Sequence, residues 1–313
     1  MKRFRKILVH TCADTPYNAC LARAERLGLE FGASLHLVDV MDEVPAYVQL
    51  LMPANWGLPE TICQYKQEHL EQVAAGLREK GVRVTSAVLR GVTPSALIQE
   101  VIRNRHDLLI RASELDTAGS VGTIDMRLLR QCPCPVWLER PATDKHKRRI
   151  VAAINVTATD REEVIFNRKI LRLSISVAEY ETAELHIVHA WRPYGESMIG
   201  RGSLYVSHED IMRYIEQVRS SADQAMSKLV ARSTVHGAKP TCHLVKGDAG
   251  EAIPELVRRI EADLVVMGTI ARTGAAGVLI GNTAERILNK LDCSLLALKP
   301  TGFTSPIIVP KPW

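Results

Sequence analysis

The stretch MGTIARTGAAGVLIGNTAERIL, residues 267 to 288, holds the residues best suited to chemistry in this chain. Glycines at 268, 274, 277 and 281 precede a helical pattern that sets Ala284, Ile287, Leu288 and Leu291 on one face. Asn282 has the side chain of an N-cap, and Glu285 three positions later gives the spacing of a capping box, so a helix is expected to start at Asn282. A glycine-rich loop that ends at a helix N-terminus presents free N–H groups and the positive end of the helix dipole, which together hold phosphate. Glycine also lets the backbone approach an anion with no Cβ in the way. Arg272 and Arg286 are the nearby cations. The same composition suits a plain turn or a close packing site. No GxxxxGK[ST] occurs and no GxGxxG follows the first strand of either half, which argues against a P-loop NTPase and an ordinary dinucleotide dehydrogenase. Phosphoryl transfer needs Mg²⁺ ligands and a residue that orients water. Glu285 is the acidic residue nearest the loop, so phosphoryl transfer is expected to be slow or absent.

Two other groupings could carry chemistry. His186 and His189 lie three apart on a predicted strand and so face opposite ways, which prevents them from converging on one metal ion. Cys132 and Cys134 flank Pro133 with a spacing that is neither thioredoxin-like nor a zinc motif, and packing at a strand start is the expected role.

The elements that position these residues repeat. RKILVH at 5 to 10 is echoed by RRIVAA at 148 to 153, LHLVDV at 35 to 40 by LHIVHA at 185 to 190, DLLI by DLVVM, and CPVWLER at 134 to 140 by CSLLALKP at 293 to 300. Each is a short run of leucine and β-branched residues, the pattern of a strand buried on both faces. Helical periodicity fills the intervals. Cys20, Ala24, Leu27 and Phe31 mark one such helix, and others are expected near 60–80, 94–105, 164–180, 208–234 and 250–261. Alternating strands and helices imply two doubly wound α/β domains with parallel sheets of about five strands. The boundary falls in the basic segment PATDKHKRR at 141 to 149, giving domains at 1–142 and 148–301 and a tail at 302–313. Ligands in such folds sit at the carboxyl ends of the strands, so the loops after the first and fourth strands of each half are the places for a site. The long segments at 41–60 and 191–207 lie on that side, and residues 44–58 are expected to cover an apolar cavity.

Composition excludes several classes. With 313 residues, 46% hydrophobic and 24% charged, the chain is globular. Lys+Arg 40 against Asp+Glu 35 leaves +5 without long basic runs, and aromatic residues make up 5%, so a nucleic-acid partner is not expected. No apolar run reaches the roughly 20 residues of a membrane span. The N-terminus lacks a signal-peptide core, and seven cysteines without a CxxC pair suit reduced thiols in the cytoplasm.

The loop GTIARTGAAGVLIGNTAERIL resembles the signature of universal stress proteins, G-x2-G-x9-G-[ST], and the repeat over nearly the whole chain resembles tandem members of that family. The resemblance implies ATP or ADP, with Mg²⁺, held by the second domain. Its implied contacts are Ile154, Asn155, Met267, Gly268, Ala271, Arg272, Gly281, Asn282 and Thr283. Ala271 stands in the second motif glycine's place, Asn282 in the Ser/Thr place, and Asn155 where the family has an aspartate at the end of the first strand. In the first half Ala112, Leu115 and Asp125 take the motif positions and Cys12 the aspartate's, which implies a lost nucleotide site. The resemblance also implies the strand order 3-2-1-4-5 in an adenine nucleotide alpha hydrolase-like fold, fifth strands paired edge to edge in an internal pseudo-dimer, and self-association of chains. A nucleotide-regulated stress module is the favoured reading. A slow ATP hydrolase and a nucleotide-free interaction module are the alternatives.

Overall fold

The computed structural model describes residues 4–11, 19–45, 48, 51, 57–113, 121–140, 147–195, 207–233, 239–269 and 280–309. By internal contacts these fall into two units. One holds the described residues up to 140 together with 280 and 294–309; the other holds 147–269 and 281–293.

The N-terminal unit has strands β1 (Lys6–His10), β2 (Ser34–Met41), β3 (Arg83–Arg90), β4 (Leu108–Ala112), β5 (Val136–Glu139) and β10 (Ser294–Leu298). Their order is β3-β2-β1-β4-β5-β10, so the expected 3-2-1-4-5 arrangement is present. The first five run parallel, and β10 pairs antiparallel with β5 through Leu295↔Leu138 and Leu296↔Trp137. Ile7, Leu8 and Val9 are consecutive and all fully buried, as a strand covered on both faces requires. Helices α1 (Ala19–Phe31), α2 (Leu58–Glu79), α3 (Thr93–Asn104) and α4 (Thr123–Gln131) supply the covers. Cys20, Ala24 and Leu27 form the buried stripe of α1, as their spacing predicts. Gly28 extends that face because a Cβ there would lie 2.5 Å from Val82 Cγ1.

The C-terminal unit has β6 (Arg149–Ala153), β7 (Glu184–Trp191), β8 (Thr241–Lys246) and β9 (Leu264–Gly268), ordered β9-β6-β7-β8 and parallel throughout. Its helices are α5 (Arg161–Glu181), α6 (His208–Ala231), α7 (Ala249–Arg259) and α8 (Asn282–Leu288). Three starts follow side-chain chemistry. Asp160 accepts from the Glu163 amide, Ser207 from Asp210 and Asp248 from Gly250. The basic segment at the boundary enters the fold through Arg148, paired with Glu181 at 2.7 Å, and Arg149, which donates to the Ile260 carbonyl. Most of 44–58 and of 191–207 lies outside the described residues, and so does the cavity expected beneath 44–58.

Candidate functional site at the carboxyl ends of β6 and β9

Strands β6 and β9 are parallel neighbours, with Ala152 beside Val266, so their carboxyl ends open on the same edge. Ile154 extends β6 by one ladder bond, its amide donating to the Val188 carbonyl at 3.1 Å, and is 6% exposed. Asn155 then leaves the sheet in a dense set of polar bonds. Its Oδ1 accepts from the Thr157 amide and hydroxyl, an Asx turn, and its Nδ2 donates to Glu163 Oε1 at 2.9 Å. Asn167 brackets its backbone, accepting from the Asn155 amide and donating to its carbonyl. An aspartate at 155 would bring two carboxylates to hydrogen-bond distance, so the amide side chain is matched to Glu163.

On β9, Met267 is buried and Gly268 ends the strand. A Cβ on Gly268 would lie 2.4 Å from the Phe166 ring of α5, so this glycine is required by packing. Thr269 is fully buried, and its carbonyl accepts from the Gly281 amide at 3.1 Å, which closes the neck of the glycine-rich loop. Ala271 and Arg272, with Gly274 and Gly277, lie outside the described residues.

The helix after the loop starts one residue earlier in role than expected. Gly281, at φ −65° and ψ 138°, is the N-cap, no side chain caps it, and Asn282 is the first helical residue. Glycine is an acceptable N-cap because it loses little there relative to the polar caps. Asn282 and Thr283 are exposed, and the first intrahelical bond runs from the Glu285 amide to the Gly281 carbonyl. The amides of 282 to 284 therefore precede the helical ladder, the feature that suits an anion. The buried stripe of Ala284, Ile287, Leu288 and Leu291 is as expected. Arg286 is engaged elsewhere: its guanidinium pairs with Asp248 at 2.8 Å and Glu251 at 2.7 Å, at the start of α7.

His189 borders the site, 4% exposed, with Nδ1 against the Ile154 carbonyl at 3.3 Å. Burial lowers its pKa and the carbonyl bond opposes this, so the ring is neutral with Nδ1–H as donor. His186 instead meets His243, Nδ1 to Nε2 at 3.0 Å, so the two histidines of β7 do part company. No group of three or more His, Cys, Asp or Glu able to hold a metal occurs among the described residues. Sequence reasoning missed Thr157, Glu163, Phe166 and Asn167, and it weighed His189 only as a metal ligand. Glu163 was within reach, three residues after the N-cap Asp160, whereas the contact of Phe166 with Gly268 has no local signal.

The N-terminal counterpart is built differently. Gly122 is the N-cap of α4, so the helix starts set Gly122 on Gly281 and Asp125 on Ala284, not Asp125 on the motif glycine. The loop misled the spacing: thirteen positions separate Gly268 from Gly281, and ten separate Ala112 from Gly122. Asp125 is fully buried and binds Arg111 Nε at 3.1 Å and the Ser113 hydroxyl at 3.1 Å. Arg111, 1% exposed, takes the place that Met267 has on β9. Behind it Arg23 binds Glu139 through two nitrogens and lies 4.5 Å over the Trp137 ring. Cys12 and Leu115 lie outside the described residues.

The profile of the universal stress protein family matches residues 3–140 and 167–299. The chain is 28% identical over 98% of its length to universal stress protein E of Escherichia coli K12, covering 98% of that protein. It is 32% identical to a universal stress protein E homolog of Haemophilus influenzae over 66% of each chain. The crystal structure of a putative universal stress protein from Pseudomonas aeruginosa UCBPP-PA14 superposes with a TM-score of 0.70 at 25% identity, covering 95% of this chain and 94% of that one.

Proposed function

The chain belongs to the universal stress protein family, and from that membership we propose that its C-terminal unit binds ATP or ADP and acts as a nucleotide-dependent regulatory or protective module. The observation that carries this reading is the uncapped first turn of α8, opened by Gly281 beside the carboxyl ends of β6 and β9. Phosphate would meet the amides of 282 to 284, and the nucleoside would reach toward Ile154 and Asn155. Asn155 takes part by exchanging its internal bond to Thr157 for the ligand. With Arg286 engaged on α7, positive potential at the start of α8 comes from its backbone amides. Mg²⁺ would arrive on the phosphates, whose oxygens supply the hard ligands it prefers, since the described side chains form no cage for it. Binding without turnover fits the carboxylate nearest Asn155, because Glu163 is occupied in holding that side chain.

The N-terminal unit fits a scaffold role. Its Arg111 and Asp125 fill with a buried ion pair the region where the second half has Met267 and Ala284. A cytoplasmic location and self-association of chains belong to the same proposal. No helix among the described residues is long and apolar enough to cross a membrane. The test is to purify the chain, release any bound nucleotide with acid for chromatography, and follow thermal unfolding with Mg²⁺ and ATP, ADP or GTP. Adenine nucleotide in the extract, or a melting temperature raised by ATP and ADP but not by GTP, is the expected result. An empty extract and no shift would leave the interaction module.

A further inference from the structure

Two thiols of the N-terminal unit have no part in the nucleotide reading. Cys132 and Cys134 lie between α4 and β5 with their sulfurs in contact at 3.6 Å. Cys132 is fully enclosed and Cys134 is 7% exposed. The chain beyond β10 brings a cation to them. Lys299, 3% exposed, donates from its ammonium to the Leu129 carbonyl, three residues before Cys132, and lies 5.3 Å over the Phe303 ring.

We propose that Cys132 and Cys134 are a redox-active dithiol, oxidised by peroxides to a disulfide across Pro133, with Lys299 as its positioning cation. The Cys132 thiolate attacks one peroxide oxygen, so an S–O bond forms and the O–O bond breaks. The departing hydroxide takes a proton from Lys299 and leaves as water. Cys134 then attacks the Cys132 sulfur: the S–S bond forms, the S–O bond breaks, and the second hydroxide leaves as water with the Cys134 proton. Two electrons pass from the thiols to the peroxide, and Lys299 recovers its proton from solvent. Closing the bond asks the sulfurs to approach by about 1.5 Å, to the usual ~2.05 Å.

Local electrostatics agree with this order of attack. Burial raises both thiols, but at Cys132 the hydrogen bonds from the side chain and backbone of Cys134, with the Lys299 charge as the smallest contribution, outweigh it and bring that thiol below its ordinary value. Cys134 is pushed up, first by burial and then by its neighbour. Burial brings Lys299 itself down to about 8 against the pull of the two sulfurs, so it gives up a proton readily. A lowered thiol beside a cation, with a second thiol in contact to resolve it, is the chemistry a reversible disulfide needs, and Cys134, 7% exposed, is the more accessible of the pair.

The native full-length chain is exposed to equimolar hydrogen peroxide, then unfolded in the presence of an alkylating reagent, digested and mapped by mass spectrometry. The peptide holding 132 and 134 should become two hydrogens lighter and resist alkylation, before exposed Cys242 or half-buried Cys63 and Cys293 react. Dithiothreitol should restore it, and Cys132→Ser should abolish it. Lys299→Met should slow the reaction severalfold and displace its pH profile upward, while Lys299→Arg keeps the wild-type profile. If Lys299→Met does not fold, the wild-type rate should level off with rising pH below the ordinary thiol value of about 8.5, and a rate that keeps climbing through that value would overturn the proposal. Oxidation of Cys242, Cys63 or Cys293 with 132 and 134 still reduced would overturn the proposal, as would a disulfide that forms only after unfolding in urea.

Discussion

Single residues decide how the two halves diverge. Arg111 and Asp125 are each at most 1% exposed, so removing one leaves the other a buried charge without that ion pair. Arg111→Met is expected to destabilise the chain by about 3–5 kcal/mol, read from urea midpoints, and Asp125→Ala added to it should recover most of that loss. At Gly268 the ring of Phe166 fills the space of a Cβ, so Gly268→Ala should cost about 1–3 kcal/mol, and Phe166→Leu in the same chain should return part of it. Equal losses with and without Phe166→Leu would contradict that contact. These residues also mark where sequence reading stops. The stripe of Ala284, Ile287 and Leu288 follows from 3.6-residue periodicity, but Asp125 looked like a charge at the phosphate position because the first-half loop is shorter and spacing alone set the alignment. Arg286 looked available because its partners Asp248 and Glu251 lie far away in sequence.

At the scale of elements, βα alternation was legible because buried parallel strands read as short apolar runs and their covering helices as periodic ones. Expected helices near 94–105 and 164–180 correspond to Thr93–Asn104 and Arg161–Glu181. Periodicity carries no information on which unit a strand joins. β10 closes the sheet edge of the N-terminal unit, and the Ser294 hydroxyl accepts from the Arg140 amide at 3.0 Å. Leu296→Pro places a residue without an N–H opposite Trp137 and should cost about 3 kcal/mol or more. Trp137 is fully buried, so its fluorescence should shift to the red and hydrogen exchange should quicken in β4 and β5. Unchanged exchange there would mean that β10 is not needed to hold that edge.

For the molecule as a whole, buried histidines set the response to acid. Burial and the Arg111 charge hold His10 at about 3, and burial lowers His36, His186, His189 and His243 as well. The unfolded chain therefore binds more protons than the folded one below the free histidine pKa, and stability is full above about 6.5 and falls as pH drops. Between pH 6.5 and 5 a His10 that stays neutral costs about 1.5 kcal/mol, and His10→Gln should remove about that much of the fall in stability over this range, read from urea midpoints. The division of labour between the halves is tested by calorimetric titration of Mg²⁺ and ATP into the wild type and into Gly281→Arg, which blocks the start of α8. One nucleotide per chain is expected for the wild type and none for the variant. Two nucleotides per chain, none in the wild type, or binding that survives Gly281→Arg would contradict it.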